Sequence, residues 1–202
     1  WVSISSRKKW KDWFKNTKKI FRSSLIIMFN SVLYFGRKNC LYSNKVKNLL
    51  RKKSKKFHYI ESNYLGEKIN KKKIDNLTFD FIFCFRSFYI LKKNLIKKCR
   101  IPPINFHPGP PEYRGVGCVN YALYDNSKFY GSTCHVVDEK VDNGKIIDVR
   151  RFRLKSSDTI ESCLKKTYQQ MLVQAFYIIN LLTKNSNNLN KLINKNKKAK
   201  WE

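Results

Sequence analysis

The sequence predicts an α/β fold built on a largely parallel sheet, and three observations carry that expectation. Residues 79–85 (FDFIFCF) are apolar almost without interruption, as a strand buried on both faces requires. Two short apolar stretches, 31–36 and 57–60, flank a segment in which Tyr42, Val46, Leu49 and Leu50 recur at helical spacing, giving a β-loop-α-β opening. Near the end, an apolar stripe runs from Ile160 through Tyr168 and Phe176 to Leu182, the pattern of a long helix laid on a sheet.

Taken in order, residues 1–22 interleave Trp10, Trp13, Phe14, Ile20 and Phe21 with a dense basic set. As a helix the stretch can rest on a membrane surface. Its apolar spacing forms no single clean face, which favours a basic N-terminal extension over residues 1–30. The first strand, 31–36, ends in Gly36-Arg37-Lys38-Asn39, where backbone N–H groups and two cations can meet a phosphate, although the loop is not a GxGxxG. His58 sits in a Lys-rich strand and reads as structural or exposed. Residues 61–76 are polar, a loop with a short helix.

After the buried strand comes a Lys-rich helix near 92–99, then Ile104-Asn105-Phe106-His107. In a strand Asn105 and His107 project to the same side. Pro108, Pro110 and Pro111 forbid further ladder pairing, so an amide and an imidazole stand together where a strand ends. Open parallel sheets keep their binding crevices there. Val119, Ala122 and Leu123 predict a short helix. Residues 131–138 and 145–154 predict two strands joined through an Asp142-Asn143-Gly144 turn. Asp158 and Glu161 suggest a capping box for the last helix. The Asn/Lys-rich stretch 184–202 reads as a disordered or truncated tail. The expected domain is therefore residues 31–183.

The net charge of +29 suggests a polyanion at first sight. Yet residues 101–160 hold eight Lys/Arg against seven Asp/Glu, whereas the rest holds 35 against 7. The excess lies outside the Asn/His region and reads as solvated lysine faces. Nucleic acid ranks low as a partner. The six cysteines show no metal-ligand spacing and no CxxC, which points to a reducing, cytoplasmic setting without a metal. The longest apolar runs are too short to span a membrane.

The residues alone allow a chemistry without deciding it. An Asn amide can donate to a developing oxyanion, and a protonated imidazole can add charge or shuttle a proton. A carboxylate such as Asp142 can hold that imidazole. No Ser or Cys stands as an obvious nucleophile, which favours direct transfer. Equally, a strand-terminal Asn and His can simply satisfy a loop.

Asn105-x-His107-Pro108-Gly109, followed by Pro111-Glu112-Tyr113-Arg114-Gly115, resembles the signature strand and loop of the folate-dependent formyltransferases. Tyr130-Gly131-Ser132-Thr133-Cys134-His135 and Val141-Asp142-Asn143-Gly144-Lys145-Ile146-Ile147 are similar to that family's second block. The resemblance covers residues 31–155. It implies a Rossmann-like, largely parallel sheet with helices on both faces and transfer of a formyl group from 10-formyltetrahydrofolate to an amine. Asn105 would bind the formyl oxygen, His107 would stabilise the tetrahedral intermediate, and Asp142 would position the histidine and assist proton movement. His135 would support them. Ser87, Phe88, Tyr89, Ile90 and Leu91 would form one wall of the folate pocket, with Val141 and Asn143 opposite.

Two departures bear on the acceptor. The family's Ser-Leu-Leu-Pro is here Gly109-Pro110-Pro111-Glu112, and the Gly-Ser-Asn phosphate turn of the glycinamide ribonucleotide enzymes is Gly36-Arg37-Lys38-Asn39. The loop is similar to sugar N-formyltransferase-like proteins, which implies a nucleotide-linked amino sugar as acceptor, contacted by Arg37, Lys38, Tyr113 and Arg114. Glycinamide ribonucleotide is the first alternative. Transfer RNA follows, since the stretch after residue 154 is too short for the barrel domain of those enzymes. A homodimer fits this reading. Outside enzymes, the alternative is an inactive, basic binding module.

Overall fold

The computed structural model describes residues 28–70 and 74–201. The basic stretch 1–22 lies outside them. The elements run β1 (Phe29–Arg37), α1 (Leu41–Lys52), β2 (Ser54–Ser62), β3 (Phe81–Phe85), α2 (Lys93–Ile96), β4 (Ile104–His107), α3 (Cys118–Tyr124), β5 (Phe129–Val136), β6 (Ile146–Arg153), α4 (Ile160–Lys184) and α5 (Asn188–Lys195).

Among the described residues six strands form one sheet in the order β2-β1-β3-β4-β5-β6. The pairings β1–β2, β1–β3 and β3–β4 are parallel, while β4–β5 and β5–β6 are antiparallel. The two-residue period of a strand is visible in what each residue packs against. Val32, Tyr34, Phe81, Phe83, Phe85, Ile104 and Phe106 face one core, closed by Val46 and Leu50 of α1 and by Met171, Ala175, Ile178 and Ile179 of α4. The alternate residues Leu33, Phe35, Ile82 and Cys84 face a second core with Ile74, Phe79, Leu91 and Leu95. Helices thus cover both faces, which is why β3 has no polar position at all. With Ile104 and Phe106 on the α1/α4 face, Asn105 and His107 are left on the other.

Some boundaries differ from the sequence expectation. Phe29 and Asn30 belong to β1, not to an extension, because the Phe29 ring packs on Phe81 and Phe83 and the Asp80 carboxylate receives the Asn30 and Ser31 N–H groups. Among the described residues 61–76 contain turns and no helix. The cap of α4 is displaced by one residue: Thr159 and Ser162 form the reciprocal box, while Asp158 accepts from the Lys155 N–H and pairs with Lys166. All six cysteines are free thiols. No helix among the described residues is long and apolar enough to cross a membrane.

The largest correction concerns residues 184–202. Composition predicted disorder, yet α5 forms there, with Leu189 and Leu192 buried in the main core. Beyond it Asn196 Nδ2 donates to the Ile147 carbonyl at 2.8 Å, and Trp201 Nε1 donates to the Gly144 carbonyl at 2.8 Å. Leu189 and Leu192, with the partly buried Ile193 beside them, give this short helix an apolar face that docks on the core edge.

Candidate active site

β4 ends the parallel part of the sheet, and its carboxyl end carries the site. Register sets the first contact: Asn105 lies opposite His135 on antiparallel β5, and Asn105 Nδ2 is 3.1 Å from His135 Nε2. His135 Nδ1–H donates to the Val136 carbonyl at 2.8 Å, fixing the ring. His107, two residues along β4 from Asn105, is 3% exposed. Its Nε2 donates to the Tyr113 carbonyl at 3.0 Å, and its Nδ1 lies 3.3 Å from Asp142 Oδ2. The other carboxylate oxygen, Oδ1, is 3.3 Å from His135 Nε2. Asp142 Oδ2 also accepts the Gly115 N–H at 3.3 Å.

Both nitrogens of His107 therefore face oxygen acceptors, an arrangement that the doubly protonated imidazolium satisfies. Burial alone would favour the neutral ring. Burial is the largest single influence, but hydrogen bonds and charge from Asp142 and Cys118 together exceed it and push His107 up to about 10. Burial likewise opposes ionisation of Asp142, yet hydrogen bonds and charge from His107 and His135 hold that carboxyl well below the usual range. The cluster is a buried ion pair with an amide at its rim.

The loop after β4 is fastened by β5. Tyr130 Oη donates to the Pro108 carbonyl and Thr133 Oγ1 to the Gly109 carbonyl, each at 2.8 Å. Gly109 leaves room for the histidine: a Cβ there would stand 2.5 Å from the Tyr113 carbonyl oxygen and 2.8 Å from His107 Nε2. Gly109→Ala is accordingly expected to break the bond between these two groups and lower kcat by about 100-fold. Steady-state kinetics on the folded variant check this.

A cavity of about 500 Å³ opens over the cluster. Asn105, His107, His135 and Asp142 line its floor, Ser87–Leu91 one wall and Val137–Asp142 another, and Arg37 reaches its edge. Of the residues predicted from sequence, the structure brings those together. Lys38, Asn143, Tyr113 and Arg114 do not line the cavity. Asn143 Nδ2 reaches Asp138, and the Tyr113 hydroxyl donates to Asp125 while its carbonyl serves His107.

Sequence reasoning missed Arg86, Cys118 and Trp201. Arg86 lines the cavity with a left-handed φ of 55°, and its guanidinium lies 3.6 Å from the Tyr168 ring centroid. The only signal for it is its place one residue after a fully buried strand. Burial raises the Cys118 thiol, and hydrogen bonds and charge from His107, with Tyr130 and the backbone, together bring it below its ordinary value. Among the described residues no group of three His, Cys, Asp or Glu side chains is placed to hold a metal.

Such an arrangement can stabilise an oxyanion formed over Asn105 and His107 while Asp142 keeps the imidazole charged. A family profile described as formyl transferase matches residues 17–176. The chain belongs to the formyl transferase family. The bifunctional polymyxin resistance protein ArnA of Wigglesworthia glossinidia brevipalpis is 32% identical over 135 residues, which is 65% of this chain and 20% of that protein. This formyl transferase domain thus spans about a fifth of that relative's length. Two solved structures share its fold. Phosphoribosylglycinamide formyltransferase from Anaplasma phagocytophilum superposes with a TM-score of 0.65 at 15% identity, covering 77% of this chain and 87% of that one. The formyltransferase PseJ of Anoxybacillus kamchatkensis, solved with UDP-4,6-dideoxy-4-formamido-L-AltNAc and tetrahydrofolate, gives 0.56 at 20% identity, covering 74% and 76%.

Proposed function

We propose that this domain transfers a formyl group from 10-formyltetrahydrofolate to the primary amine of a nucleotide-linked amino sugar. The observation that carries the reading is the cluster of Asn105 and Asp142 about the buried His107, at the floor of a cavity walled by residues 87–91 and 137–142. In this scheme the amine nitrogen attacks the formyl carbon, and the carbonyl oxygen becomes an oxyanion that accepts from the Asn105 amide and is stabilised by the nearby positive charge of the His107 imidazolium. Asp142 keeps His107 charged and helps pass the proton lost by the amine to the departing folate nitrogen. Phe88, Tyr89, Ile90 and Leu91 on one wall, with Val137 and Val141 opposite, suit a flat pteridine ring.

Two cations support an acceptor bearing phosphate. Arg37 and Arg86 both line the cavity, spread over Phe88 at 4.3 Å and over Tyr168 at 3.6 Å. Neither belongs to an ion pair among the described residues. Ser43 holds the turn that presents Arg37, since its Oγ accepts the Arg37 N–H at 3.0 Å and pairs with the buried Tyr34 hydroxyl. A ribonucleotide phosphate would meet the same cations, so glycinamide ribonucleotide is the second reading, favoured by the similarity to the Anaplasma enzyme.

Mass-detected transfer from 10-formyltetrahydrofolate to a panel of UDP-linked amino sugars, glycinamide ribonucleotide and initiator transfer RNA tests this. A formylated nucleotide sugar is the expected product, with Arg37→Ala raising its KM about tenfold or more through loss of a charge-assisted contact. A product from another acceptor replaces the substrate, and failure to bind the folate would sink the enzyme reading in favour of a binding module.

A further inference from the structure

Trp201 is the one tryptophan among the described residues, and it sits where the composition predicted disordered tail. Its ring stands edge-to-face with His135 at 5.0 Å and 87°, and with His107 at 5.8 Å and 77°. It does not line the cavity, so it meets both imidazoles from outside the chamber in which a substrate would lie. The indole N–H is spent on the Gly144 carbonyl, two residues beyond Asp142.

That turn is held from a second direction. The Val136 N–H donates to the Lys145 carbonyl at 2.9 Å, and a Cβ on Gly144 would overlap the Val136 carbonyl oxygen. Asp142 itself has a φ of 46°, a conformation that a non-glycine residue keeps only when its surroundings fix it. α5 and the Asn196–Ile147 bond carry the chain back across the end of β6 to bring Trp201 there.

We propose that Trp201 is a positioning residue: it confines the His107 and His135 rings from behind and, through the Gly144 carbonyl, fixes the turn that aims Asp142 at both. The inference rests on the formyl-transfer reading for its effect on rate, and on geometry alone for its effect on the imidazoles. An edge-to-face ring leaves little freedom to rotate, and rate falls steeply when reacting groups drift by an ångström.

The test compares Trp201→Leu and Trp201→Phe with the parent chain in kcat, in the donor dissociation constant and in the imidazole proton signals by NMR. The Leu variant is expected to lose about 100-fold in kcat with donor binding within about twofold, and its His107 and His135 signals should move as the ring current disappears. The Phe variant keeps an aromatic ring and loses the N–H bond, so it should recover most of the rate, to within about tenfold of the parent. Unchanged kcat in the Leu variant, or unmoved imidazole signals, overturns the proposal. A loss of rate matched by equal losses in donor binding and thermal stability also overturns it, since that marks a purely structural side chain. Should the Leu variant not fold, a Phe variant indistinguishable from the parent in rate and in imidazole signals overturns it as well. If the parent chain transfers no formyl group, the reaction reading fails separately, and the imidazole signals decide the placement of Trp201.

Discussion

Replacing His107 with alanine is expected to reduce kcat for formyl transfer by about 1,000- to 10,000-fold, the upper range for a group that supplies both charge and proton handling. The effect should fall on kcat rather than on donor binding, because the 87–91 and 137–142 walls are left in place. Asn105→Ala removes a neutral donor and is expected to cost less, about 100- to 1,000-fold. Rapid-quench measurement of single-turnover rates separates these losses from effects on product release. Equal rates in parent and His107→Ala would mean that the imidazole takes no part.

The second large effect is on the fold. Asp142→Ala leaves His107 buried against the Tyr113 carbonyl with no counter-charge, and breaking a buried pair from one side costs about 3–5 kcal/mol. Asp142→Asn is the sharper probe, since Asn tolerates the left-handed backbone at φ 46° and keeps the side-chain shape while removing the charge and turning one acceptor oxygen into a donor. The pair also sets a pH signature. His107 is raised in the folded state from 6.5 to about 10, so its contribution to stability is complete below about pH 6.5 and fades as pH climbs towards about 10. Asp142 is lowered, so its contribution is complete above its ordinary value of 3.8 and is lost as pH falls towards its depressed folded value. Urea unfolding should therefore show stability falling from pH 7 to pH 10, with a flatter profile in Asp142→Asn. A profile unaffected by that substitution would dismiss the pair as the cause.

How far the sequence led depends on the physics at each position. β3 and β4 were legible because full burial leaves a continuous apolar run and because period two puts Asn105 and His107 on one side. Asp142 was legible as a turn residue. Its aim at two imidazoles was not, since that depends on a positive φ and on Gly144 lying against Val136. Arg37 reaches the cavity, whereas Lys38 next to it does not, a distinction that adjacent residues of one loop cannot reveal. The resemblance implies that Tyr113 contacts the acceptor, yet Tyr113 does not line the cavity and its backbone carbonyl meets His107. α5 was hidden by the Asn/Lys composition around two buried leucines, and Trp201 by a separation of 57 residues from its partner Gly144.

The pairing of Asn105 with His135, and of His107 with Thr133, means that the reacting groups and the central ladder share the same strands. Amide hydrogen exchange along 104–107 and 133–136 should then be among the slowest in the molecule, released only when the whole domain unfolds. The turn at 138–141 and the segment 87–91, which supply the walls, belong to no strand and should exchange by cheaper, local openings. Substrates can thus enter by loosening the walls while Asn105, His107 and His135 beneath keep their spacing, so access and the alignment of these three draw on separate layers of the protein's stability.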